Sequence, residues 1–276
     1  VVTAAELMAD EVQPFRWTMG VKPLPLEDWL VWPDDPRVAA ADAVEIEANL
    51  ESGRGVFAVE GSEEAGREVL EAVAEHLSVE APLGEEPPLL AARRLVHEDL
   101  CLLQRDSTWR LTATAVAAPT AWDIESKIGL SLDEVHSPVP RYRSDLSDRM
   151  KRFFDRLAPD RPVWRANRTV TPHPQLWIDV PTRGEVPDAD ITADNAGERL
   201  WLRVERQTLR RFPRRDSILF TIGVHRQRVD TLAAVPGALE RLVEGIAAIP
   251  TDVGAYKAST VDHLDELRAW AAARSA

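Results

Sequence analysis

Leu200-Trp201-Leu202-Arg203-Val204-Glu205-Arg206-Gln207-Thr208-Leu209 alternates with period two, the repeat of a β-strand whose side chains point to opposite sides in turn. Leu200, Leu202, Val204 and Arg206 fall on one face, and Trp201, Arg203, Glu205 and Gln207 on the other. Arg210 to Asp216 link this stretch to Ser217–Val224, where Ile218, Phe220, Ile222 and Val224 make an apolar face and the alternate positions end at His225. A charged strand beside an apolar one fits two pictures. It is an edge hairpin with its polar side in solvent, or it walls a half-polar pocket where a carboxylate and a guanidinium polarise a bound small molecule. Pattern alone leaves both open.

Working outward, the spacing predicts a second hairpin, Asp99–Gln104 and Trp109–Ala117, turning at Arg105-Asp106-Ser107. Its second arm carries Leu111, Ala113, Ala115 and Ala117 on one face, small enough for a flat group to approach or simply filler. Val56–Val59 reads as a short strand, and residues 79–88 as a Pro/Gly/Glu loop. Helices are expected over Val38–Leu50, over Glu63–Leu77 capped by Ser62, and through Leu146, Met150, Phe153, Phe154 and Leu157. Two more close the chain, Ala238–Ile249 and a last one capped by Thr260. Helices, hairpin, helices, hairpin, helices give an α+β class. The chain reads as one domain over 1–276, with a Pro- and Trp-punctuated arm at 1–37 wrapping the body and helices over 235–276.

The 276 residues are 45% hydrophobic, enough for a core, and hold no apolar run of transmembrane length. The first residues lack the pattern of a secretory signal, so a cytoplasmic protein is the simplest expectation. One cysteine excludes a disulfide framework and any cysteine-ligated zinc or iron–sulfur site within one chain. Against 46 acidic residues stand 33 basic ones, a net charge of −13 that opposes non-specific binding to nucleic acid. Arginine is nonetheless dense from Arg141 to Arg228, which is either a solvated face or a gathering point for an anionic ligand or partner.

No G-x-S-x-G, H-E-x-x-H, Walker A or G-x-G-x-x-G sequence occurs. Cys101, among leucines, reads as a buried small hydrophobe. His136 lies between the apolar turn Leu130 to Val135 and a Pro138-Val139-Pro140 stop, which stiffens its backbone and fixes its imidazole direction. Packing residue and metal or cofactor ligand both suit it.

Several segments together resemble the haem-dependent oxidative N-demethylase family. They are Met19 to Leu24, His97 to Leu103, Trp122 to Tyr142 with Lys127-Ile128-Gly129 and Val135 to Pro140, Arg203 to Leu209, Leu219 to Ile222, and Ala255-Tyr256-Lys257. The resemblance runs from about Phe15 to Trp270 and implies a PAS-like antiparallel sheet with flanking helices holding haem b. It implies a monooxygenase oxidising a small amine with O2, its electrons arriving from a separate reductase with flavin or an iron–sulfur centre. A haem-based gas or redox sensor and a non-catalytic haem-binding subunit are the alternatives. On this resemblance His136 is the axial iron ligand and Glu205 the distal carboxylate, with Arg203 or Arg206 supplying positive charge. Arg141, Arg143 and Arg165 are candidates for the haem propionates.

The chain departs from the family pattern at three places. Arg168 follows Asn167 where tryptophan is common, Gly223 stands where an arginine commonly follows, and His225 where an aromatic is usual. On the resemblance, losing a distal arginine at Gly223 implies weaker oxygen polarisation and a larger pocket, and with them a bulkier amine or a different oxidation. His225 reads first as a surface strand position, and otherwise as a second ligand or acid–base group.

Overall fold

The computed structural model describes residues 18–82, 84–179, 188–254 and 258–274. Phe15 and Trp17 of the arm and the Ala255-Tyr256-Lys257 motif lie outside them. One antiparallel sheet of seven strands has the order β1-β5-β6-β7-β3-β4-β2. The strands are β1 (Lys22–Pro23), β2 (Val56–Ala58), β3 (Asp99–Arg105), β4 (Trp109–Ala115), β5 (Val163–Thr171), β6 (Trp201–Phe212) and β7 (Ser217–Arg228). Both expected hairpins form, and the one built on Leu200–Leu209 and Ser217–Val224 is longer than its pattern suggested. β6 and β7 pair over twelve residues, from Trp201↔Arg228 to Phe212↔Ser217. The α+β class is therefore as expected.

Around the sheet lie α1 (Pro36–Glu51), α2 (Glu63–Leu77), α3 (Pro88–Arg93), α4 (Leu132–Val135), α5 (Ser147–Arg156), α6 (Ala196–Arg199), α7 (Ala238–Ala247) and α8 (Leu264–Ala272). Two expected caps are not used as caps. The Ser62 hydroxyl donates to Val59 O instead, and the Thr260 hydroxyl accepts from Val170 N, four residues before α8 begins.

The period-two reading of β6 holds, but both faces are covered. Leu200, Leu202 and Val204 pack with Val170 against Leu239 and Leu242 of α7 and Leu267 and Trp270 of α8. Further along the same face Leu100, Leu102, Ala113, Ala115 and Leu219 meet α2 and α3 through Val69, Val73, Leu89 and Ala92. The small alanine face of β4 is therefore filled by helix. A β-bulge between Leu102 and Leu103 turns Leu111 to the opposite side. There the segment 116–162, between β4 and β5, covers Cys101, Leu103, Ile218, Phe220, Ile222 and Val224 with Trp122, Ile124, Val135, Tyr142, Met150 and Phe154. We call this the 116–162 face and the other the α2–α8 face.

The polar residues of β6 are accordingly interior and must find partners. Asp99 opens β3 with a carboxylate that accepts from Ala117 N at 2.7 Å, Ala118 N at 3.0 Å and the fully buried Arg93 at 3.1 Å. The next carbonyl, Ala118 O, accepts from Arg203 at 2.6 Å.

Close helix packing places Gly197 of α6 against α8, where a Cβ would sit 2.0 Å from the Trp270 ring. We expect Gly197→Ala to lower stability by about 1–3 kcal/mol, read as a reduced urea midpoint with unchanged m-value.

Candidate functional site

The 116–162 face gathers a row of polar side chains along β5 and β6. Arg203, only 1% exposed, donates from Nε to Thr120 Oγ1 at 2.8 Å and from Nη1 to Gln175 O at 3.3 Å, besides its bond to Ala118 O. The Thr120 hydroxyl donates in turn to Glu205. Glu205 also accepts from Gln207 Nε2 at 2.8 Å and from Asn167 Nδ2 at 3.3 Å. Gln207 Oε1 accepts from Arg165 Nε at 2.7 Å, and Arg165 reaches Met19 O at 3.3 Å. The cross-strand register Asn167↔Glu205 and Arg165↔Gln207 makes this row continuous. Burial pushes the Arg203 guanidinium down to about 10.

His136 lies in the 116–162 segment that covers this face. It is the C-cap of α4, whose start is fixed by a capping box between Ser131 and Glu134. Its Nδ1 lies 2.8 Å from Leu132 O and its ring stacks on Tyr142, centroids 4.9 Å apart and planes 13° from parallel. A backbone carbonyl accepts only from N–H, so Nδ1 carries the proton and Nε2 keeps its lone pair. Burial lowers the His136 pKa, and the positive charge of Arg165 lowers it further. The imidazole is thus neutral at pH 7, as a metal ligand must be. Phe220, Ile222 and Val224 pack with Trp122, Ile128 and Val135 in one apolar cluster on this face.

Of the residues singled out from sequence, His136, Arg165, Arg203 and Glu205 are brought to this face. Arg206 is not. It points to the α2–α8 face, where it donates to Trp29 O at 3.0 Å and to Asp28 O and holds the N-terminal arm. Arg141 and Arg143 are exposed at the turn into a π-helical segment, Tyr142–Leu146, that leads into α5.

The departures at Gly223 and His225 also fall on the α2–α8 face, which corrects two expectations. Gly223 pairs with Arg206 and does not open space beside Glu205. His225 is buried, 4% exposed, and not a surface strand position. β3 starts only at Asp99, opposite Ile222, so the last residues of β7 meet His97, Glu98 and α1 instead of a strand. His97 lies 3.2 Å from Asp42 through Nε2 and 5.6 Å ring to ring from His225. Glu98 is fully buried and accepts from Val31 N at 2.7 Å. His97 Nδ1, Glu98 Oε2 and His225 Nε2 have no protein partner. Asp42, on a helix 55 residues before His97, carried no signal of this cluster in the sequence. Among the described residues no group of three or more His, Cys, Asp or Glu is placed to hold a metal ion, and no helix is long and apolar enough to cross a membrane.

A family model described as "Haem-dependent oxidative N-demethylase, alpha subunit-like" matches residues 55–263, more than half of the chain. The match spans β2 to β7 and includes His136, Arg165, Arg203 and Glu205.

Burial, with the nearby His97 and Arg206, lowers the His225 pKa from 6.5 to about 3. Between these values the unfolded chain binds a proton that the folded chain does not, so stability falls as pH falls. The slope is at most about 1.4 kcal/mol per pH unit. We expect His225→Gln to lose less stability than the unsubstituted chain between pH 7 and 5 in urea unfolding; equal losses would refute this origin of the slope.

Proposed function

This chain belongs to the haem-dependent oxidative N-demethylase alpha-subunit-like family, and from that premise we propose that it is a haem-dependent monooxygenase acting on a small amine, in which His136 would hold the iron of haem b. The observation that carries the reading is the donor chemistry of His136. A pinned Nδ1–H, a lone pair on Nε2 and a neutral ring are what a single-histidine ligand requires. The apolar cluster suits the macrocycle, and Arg165 is a cation suited to a propionate. Strand order supports a PAS-like core, since β5-β6-β7-β3-β4 form the central sheet and the β4–β5 connection covers the ligand face. When bound, the haem supplies O2 binding and redox chemistry.

The chain's own residues divide the remaining work. Glu205 accepts hydrogen bonds from N–H groups of a protonated amine and takes up a proton as the amine is oxidised. Gln207 and Asn167 orient its second oxygen, each donating to Oε2. Arg203 is a positioning residue. Its donors are spent on Thr120, Ala118 O and Gln175 O, so it sets the Thr120 hydroxyl that holds Glu205. Phe220, Ile222 and Val224 exclude water from the amine's carbon substituents. A row of charged side chains favours catalysis over a gas sensor, whose distal side needs no acid–base group. Electrons come from a separate reductase carrying flavin or an iron–sulfur centre, because one cysteine is too few for a cluster.

The visible spectrum of the haem-loaded protein tests the cofactor. We expect a Soret band in the unsubstituted chain and its loss or marked shift in His136→Ala; no band in the unsubstituted chain sinks the haem reading, and coincident spectra sink the ligand assignment. For Glu205→Gln we expect haem content to stay and formaldehyde release from secondary amines, with added reductase, to fall by about 10²-fold or more.

A further inference from the structure

The arginines of the 141–161 segment are not used by the site. α5 presents Arg149, Arg152 and Arg156 at i, i+3 and i+7, which is one stripe of a helix. All three are exposed, and none has an ion pair among the described residues. The acidic residues nearby are partly occupied elsewhere, Asp155 by Arg105 and Trp109 Nε1 and Asp133 by Lys151. On a chain of net charge −13, an unneutralised positive stripe is an orienting device. It attracts an acidic partner to one face while much of the remaining surface repels it.

The stripe is also joined rigidly to the proposed iron ligand. Asp133, in α4, accepts from Tyr142 Oη at 3.1 Å and from Ser147 Oγ at 2.7 Å and pairs with Lys151 of α5. Tyr142 stacks on the His136 ring. One carboxylate therefore bolts the His136 turn to the helix that carries the stripe. A partner seated on α5 approaches the His136 side of the site, not the amine side at Glu205.

We propose that the arginine stripe of α5 is the docking surface for an acidic, single-electron-carrying protein with an iron–sulfur or flavin centre. This rests on the haem reading above and names where its electrons enter. In each encounter the partner's reduced centre gives up one electron and is oxidised, and the cofactor held by this chain takes it up. Interfaces of this type are small, short-lived and electrostatic, which suits three exposed guanidinium groups on one helix face.

The probe is a plant-type [2Fe–2S] ferredoxin, which is acidic and carries one electron. Its binding to the full chain is followed by fluorescence anisotropy, and its rate of haem reduction by stopped flow. We expect binding and rate to fall steeply between about 50 and 200 mM salt, over which the Debye length is roughly halved. Arg149→Glu/Arg152→Glu/Arg156→Glu should lower both by about tenfold or more, with an unchanged Soret band. The triple glutamine variant should show a smaller loss in the same direction, which covers the case of a charge-reversed chain that fails to fold. Arg214→Glu/Arg215→Glu, at the β6–β7 turn, should change them by less than about twofold, a control magnitude set against the steering effect. Ferredoxin affinity and rate that are unaltered in the α5 variants overturn the proposal. So does an equal loss at Arg214 and Arg215, or binding of the stripe to phosphatidylserine vesicles or DNA without binding to ferredoxin. Anisotropy needs no haem, so salt-sensitive binding to a chain that lacks a Soret band would count against the haem reading and leave the surface standing.

Discussion

A guanidinium buried in the middle of a sheet is the demand around which the rest of this molecule is arranged. Arg203 is 1% exposed on a twelve-residue strand paired on both sides, and an unmet charge there would cost several kcal/mol. Its acceptors come from places far apart in sequence: Ala118 O, Thr120 Oγ1 and Gln175 O. Holding them means holding the exit from β4, which Asp99 does by accepting from Ala117 N and Ala118 N while it neutralises Arg93. The segment that crosses the sheet to His136 begins at that clamp. Thr120 then passes the constraint on to Glu205. The polar wall of the site and the path of the chain over it share one origin.

Much of this was legible in the sequence because it rests on local periodicity. The alternation in Leu200–Leu209 separated Arg203 and Glu205 from Arg206 correctly, and the Pro-X-Pro stop marked where the His136 turn ends. Pattern could not say that both faces of β6 are buried, since a charged face looks the same whether it meets water or a polar interior. β5 was missed for a related reason. Val163-Trp164-Arg165-Ala166-Asn167-Arg168 carries too much charge to read as a strand, yet it is internal in the sheet order and its polar side chains complete the row. Caps at Ser62 and Thr260 failed because other partners took the hydroxyls, the preceding turn's Val59 O for Ser62 and, across the fold, Val170 N for Thr260.

The cluster of His97, Glu98, His225 and Asp42 shows the limit most plainly. It depends on β3 starting late, at Asp99, so that the end of β7 has a strand, β6, on one side alone and on the other meets α1 and residues 97–98. The spacing marked Asp99 as the start of that strand, but it carries no sign that β3 pairs with β7 or that α1 covers the end of β7. The β6–β7 register sets Gly223 and His225 opposite Arg206 and Val204, so the family departures there concern the α2–α8 face and not the face that carries Glu205.

The hold on the N-terminal arm has a consequence of a different kind. Arg206 grips the carbonyl oxygens of Asp28 and Trp29, and Glu98 grips the amide of Val31. Every one of these contacts is to backbone, so the clasp does not read the arm's side chains. Mutational drift at positions 28 and 31 leaves the hydrogen bonds intact, whereas a change at Arg206 or Glu98 orphans a buried group. Evolution is thereby free to rewrite much of that stretch, while Trp29, wholly buried against Phe212 and His76, and the short pairing of β1 with β5 hold its register.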